Sequence, residues 1–254
     1  MKAVILAAGK GTRMRELTNE MPKPMLETRG KPILEHIVHG LVGAGIRDLF
    51  IITGFRADVI ERHFGDGSKW QARITYGRQI TQDGTGKAPE LAKGFVGSSP
   101  FLLTYGDILV TPSEPGAELN VETYRQMLGR YQEASFSGVI TVTRGEDVTK
   151  GGLNFFDDQF CLKRLVEKPG AEQLKQLRHD GWLKPNEPVW YNAGIYIFRP
   201  SIFEFTARIQ KSPRGEYELT DAISAMVAAG HKLAGLEIRG GWVDVRDPEI
   251  LARL

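Results

Sequence analysis

The chain has 254 residues, with 33 Lys or Arg against 31 Asp or Glu, and a formal net charge of +2. A chain of this length can bury a large core, and its one cysteine, Cys161, excludes an internal disulfide framework and a thiolate metal cluster. The small net charge argues against bulk nucleic-acid binding, and apolar runs such as residues 3–8 are far shorter than the ~20 residues of a membrane span. We therefore expect a cytoplasmic protein that binds neither nucleic acid nor a membrane.

Strands and helices alternate through the first half of the chain. Apolar, β-branched runs predict strands and helical spacing of apolar residues predicts helices between them. The predicted strands are 2–8, 48–53, 72–77 and 100–105, and the predicted helices are 32–43, 56–64 and 87–95. This order predicts right-handed βαβ units in an α/β fold, a Rossmann-like three-layer α/β/α sandwich with a mainly parallel mixed sheet.

The alternation becomes irregular in the second half. Helices are predicted at 121–134, 171–181, from about 201 and at 219–229, and strands at 138–143, 153–156, 161–166, 189–198 and 243–245. No linker or change of composition separates the two halves. We expect one domain over 1–254, with a nucleotide-binding half at about 1–111 and a subdomain at about 112–240 that extends the same sheet.

A glycine loop, residues 8–14 (AGKGTRM), follows the first predicted strand. Glycines after a buried strand allow backbone N–H groups to form an anion cradle. The loop differs from the Rossmann fingerprint because Met14 stands where a glycine is needed, and from the P-loop because Lys10 precedes Gly11. A phosphate-binding loop and an ordinary glycine-rich turn with surface cations are both compatible with this segment.

The positive charge is concentrated near the N-terminus. Residues 1–32 contain seven cationic and three anionic side chains, a local excess of four against +2 for the whole chain. Such a cluster suits a polyphosphate, although a solvated face of ordinary lysines has the same composition. Lys23 lies between Pro22 and Pro24, which restrict the backbone on both sides and lower the entropy lost when the ammonium is held in place.

Residues 6–14 (LAAGKGTRM) and 22–25 (PKPM) resemble the signature of the sugar-1-phosphate nucleotidyltransferases, or NDP-sugar pyrophosphorylases. Later segments match in the same order: 84–88 (GTGKA), 105–107 (YGD), 166–169 (VEKP), 191–194 (YNAG), 219–221 (LTD) and 242–244 (WVD). The resemblance runs from Leu6 to Asp244, nearly the whole chain. It implies a catalytic domain alone, because the ten residues after Asp244 leave no room for the C-terminal β-helix of some relatives.

The resemblance implies transfer of a nucleotidyl group from an NTP to a hexose 1-phosphate, giving an NDP-sugar and pyrophosphate. The substrates are the partners it implies, with Mg²⁺ as cofactor and homo-oligomers as a possibility common in look-alikes. UTP or dTTP with a glucose-type sugar is favoured. A GTP/mannose-type or CTP-dependent relative, a phosphocholine-type cytidylyltransferase and a nucleotide-sugar sensor without turnover remain open.

Site residues follow from the same resemblance. The catalytic set is Arg13, Lys23 and Asp107. The nucleotide-binding set is Leu6, Ala8, Gly9, Gly11, Thr12, Arg13, Gln79, Gly84 and Thr85. The sugar-phosphate set is Gly152, Glu167, Lys168, Asn192 and Gly194. The metal ligands are Asp107 and Asp244.

The residues themselves leave an alternative open for several of these assignments. Asp107 follows an apolar strand, at the carboxyl end where ligands of open α/β sheets bind, but for both Asp107 and Asp244 a turn or helix cap is the alternative to a metal ligand. The side-chain amide of Gln79 or Gln82 matches the edge of a pyrimidine. Gln79 is favoured for reading the nucleobase because it stands five residues before Gly84, which resembles the uridylyltransferase spacing, and a solvent-facing loop glutamine is the alternative. Glu167 and Lys168 could instead form a strand-end ion pair.

Overall fold

The computed structural model describes residues 1–11, 14, 18, 20–113, 116, 118–133, 135–185 and 187–254. Its strands are β1 (Lys2–Leu6), β2 (Glu27–Thr28), β3 (Lys31–Pro32), β4 (Asp48–Thr53), β5 (Arg73–Arg78), β6 (Phe101–Tyr105), β7 (Ile108–Val110), β8 (Gly138–Thr143), β9 (Gly152–Phe156), β10 (Leu162–Glu167), β11 (Trp190–Phe198), β12 (Leu233–Glu237) and β13 (Trp242–Asp244). Its helices are α1 (Ile33–Gly43), α2 (Ala57–Phe64), α3 (Lys93–Val96), α4 (Val121–Gln132), α5 (Ala171–His179), α6 (Ile202–Thr206), α7 (Leu219–Ala228) and α8 (Pro248–Leu251).

Nine strands form one mixed sheet. Its main path is β10-β9-β11-β6-β1-β4-β5, and β8 pairs with both β11 and β12. Strands β5, β4, β1 and β6 are parallel neighbours, whereas β11 is antiparallel to β6, β8 and β9. Because β12 is parallel to β8 and β10 is antiparallel to β9, only β10 and β11 run against the other strands of this sheet. This arrangement confirms the predicted α/β fold with a mainly parallel mixed sheet.

Strand β1 supplies both faces of the core. Its side chains alternate across the sheet, so that Ala3 and Ile5 join one buried cluster with α1, α2 and α4, while Val4 and Leu6 join a second with α6 and α7. A strand covered on both faces reads as a continuous apolar run, which is the pattern that predicted it. The two clusters produce the three layers of helix, sheet and helix.

Four short strands were not predicted from the sequence: β2 and β3, which pair with each other, and β7 and β12. Strand β7 pairs antiparallel with β13, and β12 (LAGLE) pairs in parallel with β8. Both are short, and β12 contains the weak strand formers Ala and Gly, so pairing with a distant strand decides their conformation. The helix predicted at 87–95 is also wrong in part: Ala88–Ala92 is a 3₁₀ turn before α3, where Pro89 and Gly94 disfavour a longer α-helix.

Among the described residues, no helix is both long and apolar enough to span a bilayer.

Candidate active site

The carboxyl ends of β1 and β6 lie side by side because the two strands are parallel and in register from Lys2 and Phe101 to Leu6 and Tyr105. The glycine loop therefore leaves the sheet beside the segment Gly106–Asp107, and the Gly106 N–H donates to Leu6 O at 2.9 Å. A Cβ on Gly106 would lie 3.1 Å from the Cβ of Ala7, tighter than most real contacts. The sheet topology thus brings together the two segments that carry most of the predicted nucleotide-side residues.

Asp244 reaches the same place through the second, smaller sheet. Strand β13 pairs with β7 so that Asp244 lies opposite Ile108, and the Val245 N–H donates to Asp107 O at 3.0 Å. Two aspartates separated by more than half the chain thereby become neighbours. This contact depends on β7, a strand that the sequence did not predict.

Lys23 lies between the two aspartates. It begins a 3₁₀ turn, Lys23–Met25, and its Nζ is 2.5 Å from Asp107 Oδ2 and 3.8 Å from Asp244 Oδ1. The Lys23 side chain is only 12% exposed, against 27% for Asp107 and 31% for Asp244. One largely buried ammonium therefore compensates two carboxylates.

Gly11 allows the glycine loop to pack on Lys23. Its φ is +66°, in the left-handed region, and a Cβ there would lie 2.8 Å from the Cβ of Lys23. Any other residue would be strained and would push the lysine from its position. By contrast, nothing lies within 4 Å of a Cβ built on Gly9, so the space over that part of the loop is open.

Two cavities meet at this cluster. The first, about 400 Å³, lies over the glycine loop, and the second, about 500 Å³, lies towards β9, β10 and β11. Five residues line both: Thr85, Tyr105, Asp107, Glu216 and Arg246. The two cavities are therefore adjacent and share part of their walls.

All predicted site residues that the structure describes line one or both cavities. The first cavity holds Leu6, Ala8, Gly9, Gly11, Lys23, Gln79, Gly84, Thr85 and Asp107. The second holds Gly152, Glu167, Lys168, Asn192, Gly194 and Asp244, together with Thr85 and Asp107. Thr12 and Arg13 lie outside the described residues.

Gln79 and Gly84 form the far wall of the first cavity. Gln79 Nε2 donates to Gly84 O at 3.1 Å, which orients the amide, while Gln82 also lines the cavity with an exposed side chain. Gly84 has a φ of +115°, and a Cβ there would lie 2.3 Å from Tyr217 O. Glycine is therefore required at this position, and the loop runs against the backbone before α7.

The second cavity is rich in carboxylates, of which Glu218 is buried and Glu167 largely so. Glu167 is 17% exposed; burial raises its pKa above the ordinary value, Lys168 opposes this, and Glu218 adds to it. Lys168 Nζ lies 3.6 Å from Glu167 Oε1, so the ion pair anticipated as an alternative is present within the cavity wall. Lys168 also has a φ of +41°, rare for a residue with a side chain and typical of functional sites.

Asn192 lies on β11 and is held by local contacts. Its Oδ1 accepts a hydrogen bond from the Gly194 N–H at 3.1 Å, and its Nδ2 donates to Tyr196 Oη at 2.9 Å. A Cβ on Gly152 would lie 3.2 Å from the Cβ of Asn192 and 3.1 Å from Glu167 Oε2. Small residues at this wall keep the polar side chains at the cavity surface.

The two carboxylates at the junction are oxygen ligands of the kind that a divalent metal ion takes when it binds together with phosphates. Among the residues that the structure describes, no group of three or more His, Cys, Asp or Glu side chains could hold a metal. Mg²⁺ in phosphate-transfer sites, however, takes one or two carboxylates and completes its octahedron with phosphate oxygens and water. Asp107 and Asp244, which already face one shared cation, satisfy that requirement.

Sequence reasoning missed two residues at the junction, Glu216 and Arg246. Glu216 precedes the matched segment 219–221 by three residues, and Arg246 follows Asp244 by two. Their proximity to those motifs was the one signal in the sequence for either residue. Proximity to a motif does not distinguish a residue that lines a cavity from one that faces solvent.

A family model described as nucleotidyl transferase matches residues 2–252. The chain belongs to this family. The UTP–glucose-1-phosphate uridylyltransferase AglF of Haloferax volcanii is 31% identical to this nucleotidyltransferase over 98% of the chain and 93% of its own length. The low-salt glycan biosynthesis nucleotidyltransferase Agl11 of the same organism is 30% identical over 98% of the chain, which spans 63% of that longer protein.

The fold of this nucleotidyltransferase is shared with a solved structure. The UDP-glucose pyrophosphorylase crystallised with UDP-glucose has a TM-score of 0.81 to it, at 23% identity, covering 99% of this chain and 96% of the other. At this identity the likeness establishes the common fold.

Proposed function

We propose that the protein transfers a nucleotidyl group from an NTP to a hexose 1-phosphate, forming an NDP-sugar and pyrophosphate. The observation that carries this proposal is the junction of the two cavities, where Lys23, Asp107 and Asp244 are in contact. One cavity suits a nucleoside triphosphate over a glycine loop, and the other suits a polar, hydroxyl-rich acceptor. Family membership and the name of AglF support the same reaction.

The reaction needs no general base. An anionic phosphate oxygen of the sugar 1-phosphate attacks the α-phosphorus of the NTP, a new P–O bond forms, and the bond from the α-phosphorus to the bridging oxygen breaks. Pyrophosphate leaves with that electron pair. Catalysis then consists of aligning two anions that repel each other and compensating their charge.

The glycine loop and Lys23 would serve the donor nucleotide. The backbone of Ala8, Gly9 and Gly11 lines the first cavity, and the open space over Gly9 admits phosphate oxygens close to the main chain. Lys23 is a compact point charge suited to the reacting phosphates. Thr12 and Arg13 keep their predicted roles in binding the triphosphate and its leaving phosphates, and both lie outside the described residues.

Asp107 and Asp244 would hold Mg²⁺. When bound, the ion supplies positive charge to the phosphate oxygens and helps to orient the two substrates. Pairing of β7 with β13 places the backbones of the two aspartates next to each other before any ligand arrives.

Glu167, Lys168 and Asn192 would serve the acceptor. Sugar hydroxyls donate well to a carboxylate and exchange hydrogen bonds with an amide, and each buried hydroxyl left unpaired would cost about 1–3 kcal/mol. Glu167 and Asn192 both line the second cavity, next to Gly152. We propose a glucose-type sugar, with UTP or dTTP as donor read by Gln79.

A matrix of substrates tests this function. The protein is incubated with Mg²⁺, each of UTP, dTTP, CTP and GTP, and each of glucose 1-phosphate, mannose 1-phosphate and phosphocholine, while pyrophosphate release is measured. We expect the highest rate with glucose 1-phosphate and UTP or dTTP. Asp107→Asn should remove most turnover, whereas Asp58→Asn, an exposed aspartate of α2 paired with Arg56, should not.

No pyrophosphate with any pair would overturn the enzymatic proposal. Tight binding of an NDP-sugar without pyrophosphate exchange would instead favour a sensor.

A further inference from the structure

Arg246 is the most buried of the three cations around the second cavity. Its side chain is 14% exposed, against 38% for Lys168 and 62% for Lys150. It also lines both cavities, which neither lysine does. A cation in that position faces the place where the two substrates meet.

Among the described residues, the guanidinium of Arg246 makes one hydrogen bond, which anchors it. Its Nη2 donates to Glu146 Oε2 at 3.0 Å, and its Nε lies 3.3 Å from Asp244 Oδ2. The geometry of the second contact is not that of a hydrogen bond: within the part of the chain that the structure describes, the buried Nε has no hydrogen-bond partner. Arginine has five N–H donors; with one Nη2 proton given to Glu146 and Nε buried, the two protons of Nη1 and the second proton of Nη2 remain for a ligand.

The charge balance of the second cavity indicates which ligand these N–H donors suit. Its wall carries five carboxylates, on Asp107, Glu167, Glu216, Glu218 and Asp244. Lys168 is close to Glu167, Arg214 pairs with Glu218, and Lys23 lies between the two aspartates. A phosphate that enters this wall therefore needs a fixed cation with free donors, and a planar guanidinium binds phosphate oxygens in pairs.

We propose that Arg246 binds the phosphate of the acceptor and holds it beside the α-phosphate of the nucleotide. The proposal deepens the function proposed above and rests on it for the identity of the acceptor. Glu146, which lines neither cavity, accepts a hydrogen bond from the guanidinium and so fixes its orientation. Arg246 is then a specificity residue for acceptors that carry a phosphate monoester.

Steady-state kinetics of Arg246→Gln tests the role. We expect the KM for glucose 1-phosphate to rise about 10- to 100-fold, the loss expected for charge-assisted hydrogen bonds, while the KM for UTP changes less than about threefold. Arg246→Lys should recover part of the loss because it keeps the charge without the fork. Arg144→Gln is the matched control, since Arg144 pairs with Glu237 outside both cavities.

A merely structural role would give a different pattern. If Arg246 only positioned Asp244, its loss would raise the Mg²⁺ concentration for half-maximal activity and leave the KM for glucose 1-phosphate unchanged. That result would overturn the proposal.

Direct binding separates this proposal from the proposed function. Titration calorimetry of the full chain with glucose 1-phosphate and with inorganic phosphate should show binding that Arg246→Gln weakens at least about tenfold. Equal affinity in the two proteins, or no binding to the wild type, would overturn the role of Arg246. If the wild type releases no pyrophosphate with any pair of NTP and acceptor, the proposed function fails. The calorimetry still decides whether Arg246 binds phosphate.

Discussion

Lys23 Nζ lies 2.5 Å from Asp107 Oδ2, across 84 residues of sequence. The same ammonium lies 3.8 Å from Asp244 Oδ1. It therefore occupies the space between two carboxylates that a divalent cation would also be drawn to. Loading of metal and nucleotide should shift Lys23 from the aspartates towards the phosphates, which couples its charge to the arrival of substrate.

Replacing Lys23 with Met should abolish most activity and alter stability in a metal-dependent way. We expect kcat to fall by about 10²-fold or more because a charge at the reacting phosphates is lost. Without divalent ions, the two aspartates repel each other and the Tm should fall; added Mg²⁺ should restore it. Pyrophosphate release and thermal unfolding with and without Mg²⁺ measure both effects.

Lys31→Met is the control for that variant, because Lys31 is exposed on β3 and lines neither cavity. A Lys23→Met protein with kcat within twofold of wild type would contradict the role assigned to Lys23.

Gln79→Ala should weaken discrimination among nucleobases. Its amide is oriented by Gly84 O, so removing it takes away a fixed donor–acceptor pair at the wall of the first cavity. We expect kcat/KM for UTP to fall about tenfold, with smaller losses for CTP and GTP. Gln82→Ala is the matched variant, and a larger change in nucleotide preference there would reverse the assignment.

Glu167→Gln should weaken acceptor binding and, at neutral pH, stabilise the fold. Burial raises the pKa of Glu167, so the folded protein disfavours its ionised form, and this cost is present above the raised pKa and disappears as pH falls below 4.5. Relative to wild type, the variant should therefore gain stability as pH rises through the raised pKa. Its KM for glucose 1-phosphate should rise about tenfold, since an acceptor of hydroxyl hydrogen bonds is lost.

Chemical unfolding at pH 4 and pH 7 together with kinetics at pH 7 checks both parts. A stability difference between Glu167→Gln and wild type that is the same at the two pH values would show that the environment of Glu167 does not disfavour its charge.

Two helical glycines should respond in opposite directions to alanine. In α1, a Cβ on Gly40 would lie 2.8 Å from Leu119 O and 2.9 Å from the Cβ of Asn120, so Gly40→Ala should destabilise the fold by about 1–3 kcal/mol. In α4, nothing lies within 4 Å of a Cβ on Gly129, and Gly129→Ala should stabilise by about 0.5–1 kcal/mol. Urea unfolding measures both, and similar effects of the two substitutions would show that Gly40 is not in close contact with Leu119 and Asn120.

Local patterns predicted most of the sheet because its central strands are covered on both faces. Such strands carry unbroken apolar runs, as β1, β4 and β6 do, and their signal does not depend on a partner. Strands β7 and β12 were not predicted because their conformation is decided by pairing with β13 and β8. The 87–95 segment was predicted wrongly for a local reason: its apolar spacing is helical, but Pro89 and Gly94 disfavour a long α-helix.

The candidate site was predictable to the extent that its residues belong to motifs. The predicted site residues that the structure describes do meet at one pair of cavities. Arg246 was not predictable, because it stands in no motif and its importance comes from facing both cavities at once.

By itself, the sequence determined the α/β class, the glycine loop, the concentration of positive charge and the family resemblance, all of which are encoded in neighbouring residues. The tertiary structure decided which distant side chains share a point in space. Asp107 and Asp244 meet because β7 pairs with β13, and Lys23 joins them because Gly11 leaves room for it. Those contacts depend on strand register and on steric fit, which no local pattern contains.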